Sequence, residues 1–415
     1  MKPSLAVAQR SLGDPSFTYP LFPPLLEGCP QTSTADMQYP LELDYDYARV
    51  DLALFEQPPL PGLERWSPLL PPLAAGLSMG EGGTPLIPAP KLAAWMGFGG
   101  ELFIKDESRN PTWSHKDRLQ LCAVSAAVQV GAAGVVVSSS GNHGAAAAAY
   151  AARAGLPCIV LITAGGSPVI QQYVRSYGAA VLAVPREARV PLLRQIVARL
   201  GYHPVSSTTP THTGHPFGPE GYKTLAYEVF LQLGRRVPAA VFVPTGYAEL
   251  FYGVWKGFRE LRRLGVVDHA PQMVACEPAS RAPLAKALAE NRPVVEVPLA
   301  PTDAYSVAVN ANGYRGVLAV RQSEGFAVAP TDAQMVEAQA AAGRAGLWAE
   351  LSSVSSVAGL RLALAQGHRF DGPVVCVSTS SGFKDWGIGR DTAPEIAPDW
   401  ETVTRTLRDA YELKV

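Results

Sequence analysis

From about residue 100 onward the chain alternates short apolar runs with longer stretches whose apolar residues recur at helical spacing. The runs at 102–105, 135–138, 158–162 and 180–184 are apolar almost throughout, as strands buried on both faces of a parallel sheet are. Between them lie helical stretches at about 115–130, 142–155 and 167–177. The same rhythm returns at 240–243, 272–276 and 374–377. The pattern predicts an α/β protein with two mainly parallel sheets flanked by helices. The alanine tract 145–149 reads as a tightly packed helix. Upstream, residues 1–40 are rich in Pro, Ser and Thr without a sustained period, which predicts an arm or poorly ordered tail. Residues 39–47 alternate like a short strand.

Composition narrows the class of ligand. With 47% hydrophobic residues, 17% charged and a net charge of −1 over 415 residues, the chain carries no signature of a nucleic-acid or membrane-surface binder. A small ligand is the expectation. The five cysteines have no paired spacing, which fits reduced thiols in a cytoplasmic protein. No run has the length of a membrane span or the flanks of a signal peptide.

The chemistry centres on Asn110-Pro111-Thr112-Trp113-Ser114-His115-Lys116-Asp117-Arg118. A lysine that opens a helix after an Asn-Pro-Thr turn sits near unpaired backbone N–H groups and the positive end of the helix dipole, and both destabilise its ammonium form. Such an amine is a nucleophile suited to a Schiff base with an aldehyde, of which pyridoxal 5′-phosphate (PLP) is the usual protein-bound one. Taken alone, the commoner case is a surface lysine on a helix capped by Thr112 or Ser114.

Four turns stand after predicted strands or before helices, where open α/β sheets place ligands. The turn 138–144 offers hydroxyls and N–H groups for a carboxylate, with Asn142 able to reach a ring oxygen; a plain Ser/Asn helix cap is the alternative. The turn 243–250 suits a phosphate at a helix start, although Glu249 would repel one and reads otherwise as an outward-facing acid of a first turn. The turn 378–385 presents hydroxyls, and 215–224 is a loop entering a helix. His203, His212 and His215 fit no zinc spacing and read as solvated loop histidines, so no metal site is expected.

These residues carry a resemblance. Gly80-Glu81-Gly82-Gly83-Thr84-Pro85-Leu86, Lys105-Asp106-Glu107 followed by Asn110 to Arg118, and Gly382-Phe383-Lys384-Asp385 are similar in order and spacing to motifs of the threonine synthase-like proteins. That family belongs to the PLP group of tryptophan synthase β-chains and serine/threonine dehydratases. The resemblance implies that Lys116 carries the cofactor as an aldimine and that Asn142 meets its 3′-oxygen. It implies further that Gly246, Tyr247, Ala248, Glu249 and Leu250 form the phosphate loop and that Thr379 faces the pyridine nitrogen. Ser114, Ser139, Ser140, Gly141 and His143 would then contact a small amino-acid substrate. A neutral hydroxyl on that nitrogen favours elimination of a β- or γ-leaving group, such as phosphate from O-phosphohomoserine, through an external aldimine and carbanion, with water addition to follow. His115 or His143 would assist as acid or base.

The chain also departs from the family. Trp113 replaces a glycine, His115 an aromatic residue, and Tyr247, Ala248 and Glu249 stand where the phosphate loop has glycines. Asn142-His143 is closer to the dehydratases. Of the zinc ribbon that opens many relatives only Cys29-Pro30 remains. Three readings follow: a threonine synthase-like lyase, a serine/threonine ammonia-lyase, and a non-catalytic PLP-binding homologue. The expected organisation is an N-terminal arm (1–50), a large PLP-binding domain (51–118 and 226–395), a small inserted α/β domain (119–225) and a C-terminal helix (396–415), with the site in the cleft. Similarity further implies a homodimer.

Overall fold

The computed structural model describes residues 3–58, 60–165, 168–385 and 393–414. They form two compact units, Met1–Lys384 and Asp385–Val415. In the second, one helix, α12 (Trp400–Tyr411), is capped by Asp399, whose carboxylate accepts from Thr402 N at 2.8 Å. The C-terminal helix expected over 396–415 is therefore present but shorter, and part of the expected 226–395 segment, residues 386–392, lies outside the described residues.

The first unit opens with a sheet of which the sequence pattern showed only the last strand, within 39–47. Strands β1 (Ala6–Ser11), β2 (Thr18–Pro20) and β3 (Leu41–Tyr45) form a three-stranded antiparallel sheet in the order β2-β1-β3. The arm predicted for residues 1–40 is thus built structure. Its polar residues hid the strands because they are satisfied internally: Gln9 Nε2 donates to the carbonyls of Pro20 and Pro23, and Gln9 Oε1 accepts from Leu25 N.

The chain then enters the large sheet with β4 (Leu86–Pro88), α1 (Pro90–Met96) and β5 (Leu102–Asp106), and leaves it along α2 (Lys116–Gln129). A four-stranded parallel sheet follows. It is made of β6 (Val135–Ser138), β7 (Cys158–Thr163), β8 (Ala180–Val184) and β9 (His203–Pro204), connected by α3 (Asn142–Arg153), α4 (Pro168–Ser176) and α5 (Arg189–Leu200). Helix α6 (Gly218–Gln232) leads back to β10 (Ala240–Pro244), α7 (Glu249–Arg263), β11 (Gln272–Cys276), α8 (Pro283–Ala289), α9 (Tyr314–Gln322) and β12 (Phe326–Val328). The large sheet is completed by α10 (Asp332–Arg344), α11 (Ser355–Ala365) and β13 (Val374–Ser378).

The strand orders matter for function. The large sheet runs β12-β11-β10-β13-β5-β4, parallel except for the edge strand β4. The small sheet runs β8-β7-β6-β9. In the first, the chain steps from β10 outward through β11 and β12, and β13 returns on the other side of β10. In the second, it steps from β6 through β7 and β8, and β9 returns beside β6. Each sheet therefore has a topological switch point, where the loops leaving two neighbouring strands diverge and a ligand crevice opens.

Close helix contact sets the geometry under those crevices. A Cβ on Gly221 of α6 would lie 1.9 Å from the Arg118 carbonyl oxygen on α2, and one on Gly257 of α7 would lie 2.3 Å from the Lys223 carbonyl oxygen. Only glycine lets α2, α6 and α7 approach at these points. The alanines 145–149 of α3 are all buried, and the small side chains of Ala145, Ala147, Ala148 and Ala149 pack into the same large apolar core as Val135, Val137 and Val160 of the small sheet.

Candidate active site

Lys116 is the first residue of α2, as the turn chemistry predicts. The Thr112 or Ser114 cap of the surface-lysine alternative is not formed. Thr112 turns to Asp117, giving that carboxylate its backbone N–H at 2.8 Å and its hydroxyl at 2.6 Å, while His115 occupies the cap position without a side-chain capping bond to the helix. Ser114 Oγ is buried without a partner. The Lys116 ammonium lies 5.6 Å from the centre of the Tyr222 ring and makes no hydrogen bond or ion pair among the described residues. Burial lowers its pKa, and the negative charge of Glu249 opposes that shift.

The loop before Lys116 is laced to the end of β13. Thr379 O accepts from His115 N at 3.0 Å, with His115 Nδ1 at 3.2 Å from the same oxygen, and Trp113 O accepts from Ser381 N at 3.2 Å. Trp113, in the family's glycine position, adopts φ 61°. Its ring, 48% exposed, stacks on Tyr173 of α4 at 5.6 Å. The Thr379 hydroxyl is held by Ser353 Oγ at 2.9 Å.

Asn142, first residue of α3 at the small-sheet switch point, is not free. Its Nδ2 donates to Glu350 Oε2 at 2.8 Å, and its Oδ1 accepts from Lys384 Nζ at 2.9 Å and Ser380 Oγ at 3.2 Å. The plain helix cap weighed for this turn is absent too, since Gly141 takes the cap position. Sequence reasoning missed Glu350, whose neighbourhood signals no site, and did not foresee that Lys384 of the Gly382–Asp385 motif reaches Asn142; the two converge there only through tertiary contact. Burial pulls the Lys384 ammonium down to about 8, against the attraction of Asp117 and Glu350. Within the 138–144 turn, Ser140 Oγ accepts from Thr163 N at 2.9 Å and Ser139 Oγ from Gly141 N at 3.3 Å.

The two histidines assigned acid–base roles are half-buried. His143 Nε2 lies 2.9 Å from Val205 O, and burial together with Lys116 lowers its pKa to about 3. His115 is pushed well below its ordinary value, again by burial first and then by Lys116. Both imidazoles are therefore neutral near pH 7. The loop histidines are not solvated as expected. His203 and His215 are buried with their Nε2 atoms 2.9 Å apart, and His212 stacks on Tyr247 at 3.9 Å.

Glu249 overturns its sequence reading most clearly. It is 7% exposed at the amino end of α7, with Oε2 3.4 Å from His212 Nε2 and Oε1 without a hydrogen-bond partner. An acid in a helix's first turn is outward-facing by default, but Gly214 leaves room for this one: a Cβ there would sit 2.0 Å from Glu249 Oε1. Burial would raise its pKa, yet His212, Lys116 and His143 together hold it well below the carboxylate range. Beside it, Ala248 caps α7 in the left-handed region at φ 65°. The backbone N–H groups of Gly246, Tyr247 and Ala248 have no acceptor among the described residues.

The charged residues of the motifs serve a different purpose. Lys105, Glu107, Arg118 and Glu228 form a buried ion cluster behind the lysine. Asn110 Oδ1 accepts from Gly82 N at 2.9 Å, tying the Gly80–Leu86 turn to the loop.

Several buried polar atoms in this region lack partners, namely Ser114 Oγ, Tyr222 OH, Glu249 Oε1 and His212 Nε2. Buried polar groups are normally satisfied, and orphans mark a place where a ligand supplies the missing bonds. An unpaired amine of lowered pKa, a hydroxyl after β13 and free N–H groups before α7 match the aldehyde, ring nitrogen and phosphate of PLP; Glu249 alone opposes the phosphate.

Fold and site thus define an α/β enzyme with a crevice suited to an amine-anchored cofactor. The family model "Pyridoxal-phosphate dependent enzyme" matches residues 77–380, and the chain belongs to this family. Its cofactor is PLP, and it is a lyase of the threonine synthase-like kind. It is 32% identical over 356 residues to threonine synthase of Methanosarcina acetivorans, covering 83% of this chain and 86% of that one. It is 35% identical over 334 residues to that of Halalkalibacterium halodurans, covering 78% and 90%. Among solved structures, the fungal L-serine ammonia-lyase of Rhizomucor miehei superposes with a TM-score of 0.62 at 20% identity, covering 72% of this chain and 93% of that one. Maize serine racemase gives 0.62 at 19%, covering 74% and 91%. These two likenesses concern the fold.

Proposed function

We propose that this lyase acts on a phosphorylated amino acid, releasing phosphate as threonine synthase does from O-phosphohomoserine. The observation that carries this reading is a group of arginines without anions. Arg189 Nη1 lies 3.5 Å from Ser140 Oγ in the substrate turn, and its Nε is buried without a partner. Arg186 bears on both Arg189 and Arg281, and Arg186 and Arg189 bear on Tyr247. None of the three pairs with a carboxylate among the described residues; Arg281 donates only to the carbonyls of Ala300 and Ala308. Serine or threonine brings only a carboxylate to such a site, whereas a phosphorylated amino acid brings a phosphate as well, which arginine binds well.

PLP, when bound, supplies an electron sink for the α-carbon. In our reading Lys116 holds the cofactor and, once released, takes the α-proton, its lowered pKa favouring the free amine that this role needs. Thr379, fixed by Ser353, offers a neutral hydroxyl to the ring nitrogen. Gly246 to Leu250 meet the phosphate, and Ser139, Ser140 and Gly141 the substrate carboxylate. Asn142 orients the ring oxygen with Lys384 behind it. Ser114 offers a free hydroxyl to the substrate. His143 and His115, being neutral, orient rather than donate charge. The segment 119–225 is the part expected to close over the crevice and exclude water.

The experiment is product analysis. The PLP-loaded protein is given O-phosphohomoserine, L-serine and L-threonine, and phosphate, threonine, ammonia and 2-oxo acid are measured, with Lys116→Ala as the control. Phosphate and threonine from the first substrate alone are expected. Ammonia and 2-oxo acid from the other two would select the ammonia-lyase, and no product above the control would select a non-catalytic homologue.

A further inference from the structure

The amino end of α7 carries two claims on the same positive potential. Its free N–H groups suit the phosphate of PLP, yet Glu249 already places a buried carboxylate there. The seat of that carboxylate is built for it. Gly214, at φ 62°, leaves the space its Oε1 fills, and His212, clamped flat on Tyr247 at 3.9 Å, faces its Oε2 at 3.4 Å. The remaining groups around it come from every neighbouring element: Lys116 of α2, His143 of α3, Tyr222 of α6, Arg315 of α9, and His215 of the loop before α6.

Most of these cannot balance a second anion. Arg315 gives its two terminal nitrogens to the carbonyls of Thr213 and Leu41, and its charge already answers Glu249. His143 and His215 are held neutral by burial. Lys116 is used up in anchoring the cofactor. A phosphate carries between one and two negative charges near pH 7, and in a crevice of low effective dielectric it cannot settle beside an ionised Glu249 unless a proton arrives with it. His212 is the group placed to receive that proton.

We propose that Glu249 and His212 form a proton-accepting pair that controls how tightly this protein holds the phosphate of its cofactor, so that PLP binding strengthens as the pH falls. The inference goes beyond the reaction assigned above and stands or falls without any turnover.

The test compares PLP with pyridoxal, which has the aldehyde and ring but no phosphate. Dissociation constants of both are measured by absorbance titration of the full chain between pH 6 and 8.5, for the wild type, Glu249→Gln, Glu249→Gly and His212→Asn. The ratio of the two constants removes effects of Lys116 and of the aldehyde. In the wild type the preference for PLP should weaken by about tenfold from pH 6 to 8, the order expected for one unit of charge repulsion. Glu249→Gln and Glu249→Gly should each strengthen it at least about tenfold at pH 8 and flatten its pH dependence beyond that of the phosphate itself. His212→Asn should weaken it at pH 6. Equal ratios in the wild type and both Glu249 variants at every pH, or a looser hold on PLP in Glu249→Gln, would overturn the proposal.

Discussion

Glu228 is the residue whose replacement tests the account of the ion cluster behind Lys116. Its carboxylate accepts from Arg118 Nη1 at 2.6 Å, Arg118 Nη2 at 2.8 Å, Lys105 Nζ at 2.7 Å and Gly83 N at 2.9 Å. Glu107 takes the other side of Arg118 at 2.7 and 2.8 Å. Two cations and two anions thus share a space closed to water. Glu228→Gln keeps the shape and removes one charge, leaving a net positive charge without solvent. Breaking one side of a buried pair costs about 3–5 kcal/mol, and that loss is expected in urea denaturation at pH 7.

The acid dependence has a definite sign. Burial favours the protonated carboxyl, but Arg118 and Lys105 outweigh it and hold Glu228 down to about 2. A group depressed in the folded state stabilises above its unfolded pKa of about 4.3 and loses that contribution as pH falls toward 2. The gap between wild type and Glu228→Gln should therefore narrow below about pH 4. Adding Lys105→Met restores neutrality, so the double variant should recover about 1–3 kcal/mol relative to Glu228→Gln alone. A Glu228→Gln protein within about 1 kcal/mol of the wild type, or a double variant that merely adds the two losses, would refute the reasoning.

Two further outcomes follow from the same geometry. Gly221→Ala drives a methyl group to 1.9 Å from the Arg118 carbonyl, so α6 must part from α2 just beside Lys116; a loss of stability of several kcal/mol, on the order of 3, is expected with weakened PLP binding, and unchanged values for both would show that the helices can yield. Lys384 titrates at about 8 folded against about 10.4 unfolded, so between these values the unfolded chain binds the extra proton and this group's contribution to stability rises with pH. Urea midpoints from pH 7 to 10 should show that rise in the wild type relative to Lys384→Met, and parallel curves would contradict it.

The strands and helices from residue 100 onward were legible because their signals are local. Apolar runs at 102–105, 135–138 and 374–377 and the Asn-Pro-Thr turn before Lys116 announce structure within a few residues. Residues 1–40 misled because the side chains of Gln9 and Ser11 are paired across the N-terminal sheet and loop, and no neighbour in the chain advertises those partners. The arginine group was invisible for a similar reason, since Arg281 is remote in sequence from the neighbouring pair Arg186 and Arg189, and all three are remote from Ser140 and Tyr247.

What the chain determined by itself is the α/β alternation, the lysine opening a helix, and the family to which those motifs belong. The fold alone decided that Glu249 is buried beside His212, that Asn142 is held by Glu350 and Lys384, and that three loop histidines are packed rather than solvated. Turn and periodicity depend on neighbours in sequence, whereas burial, charge pairing and proton affinity depend on which distant groups the switch points of two sheets bring together.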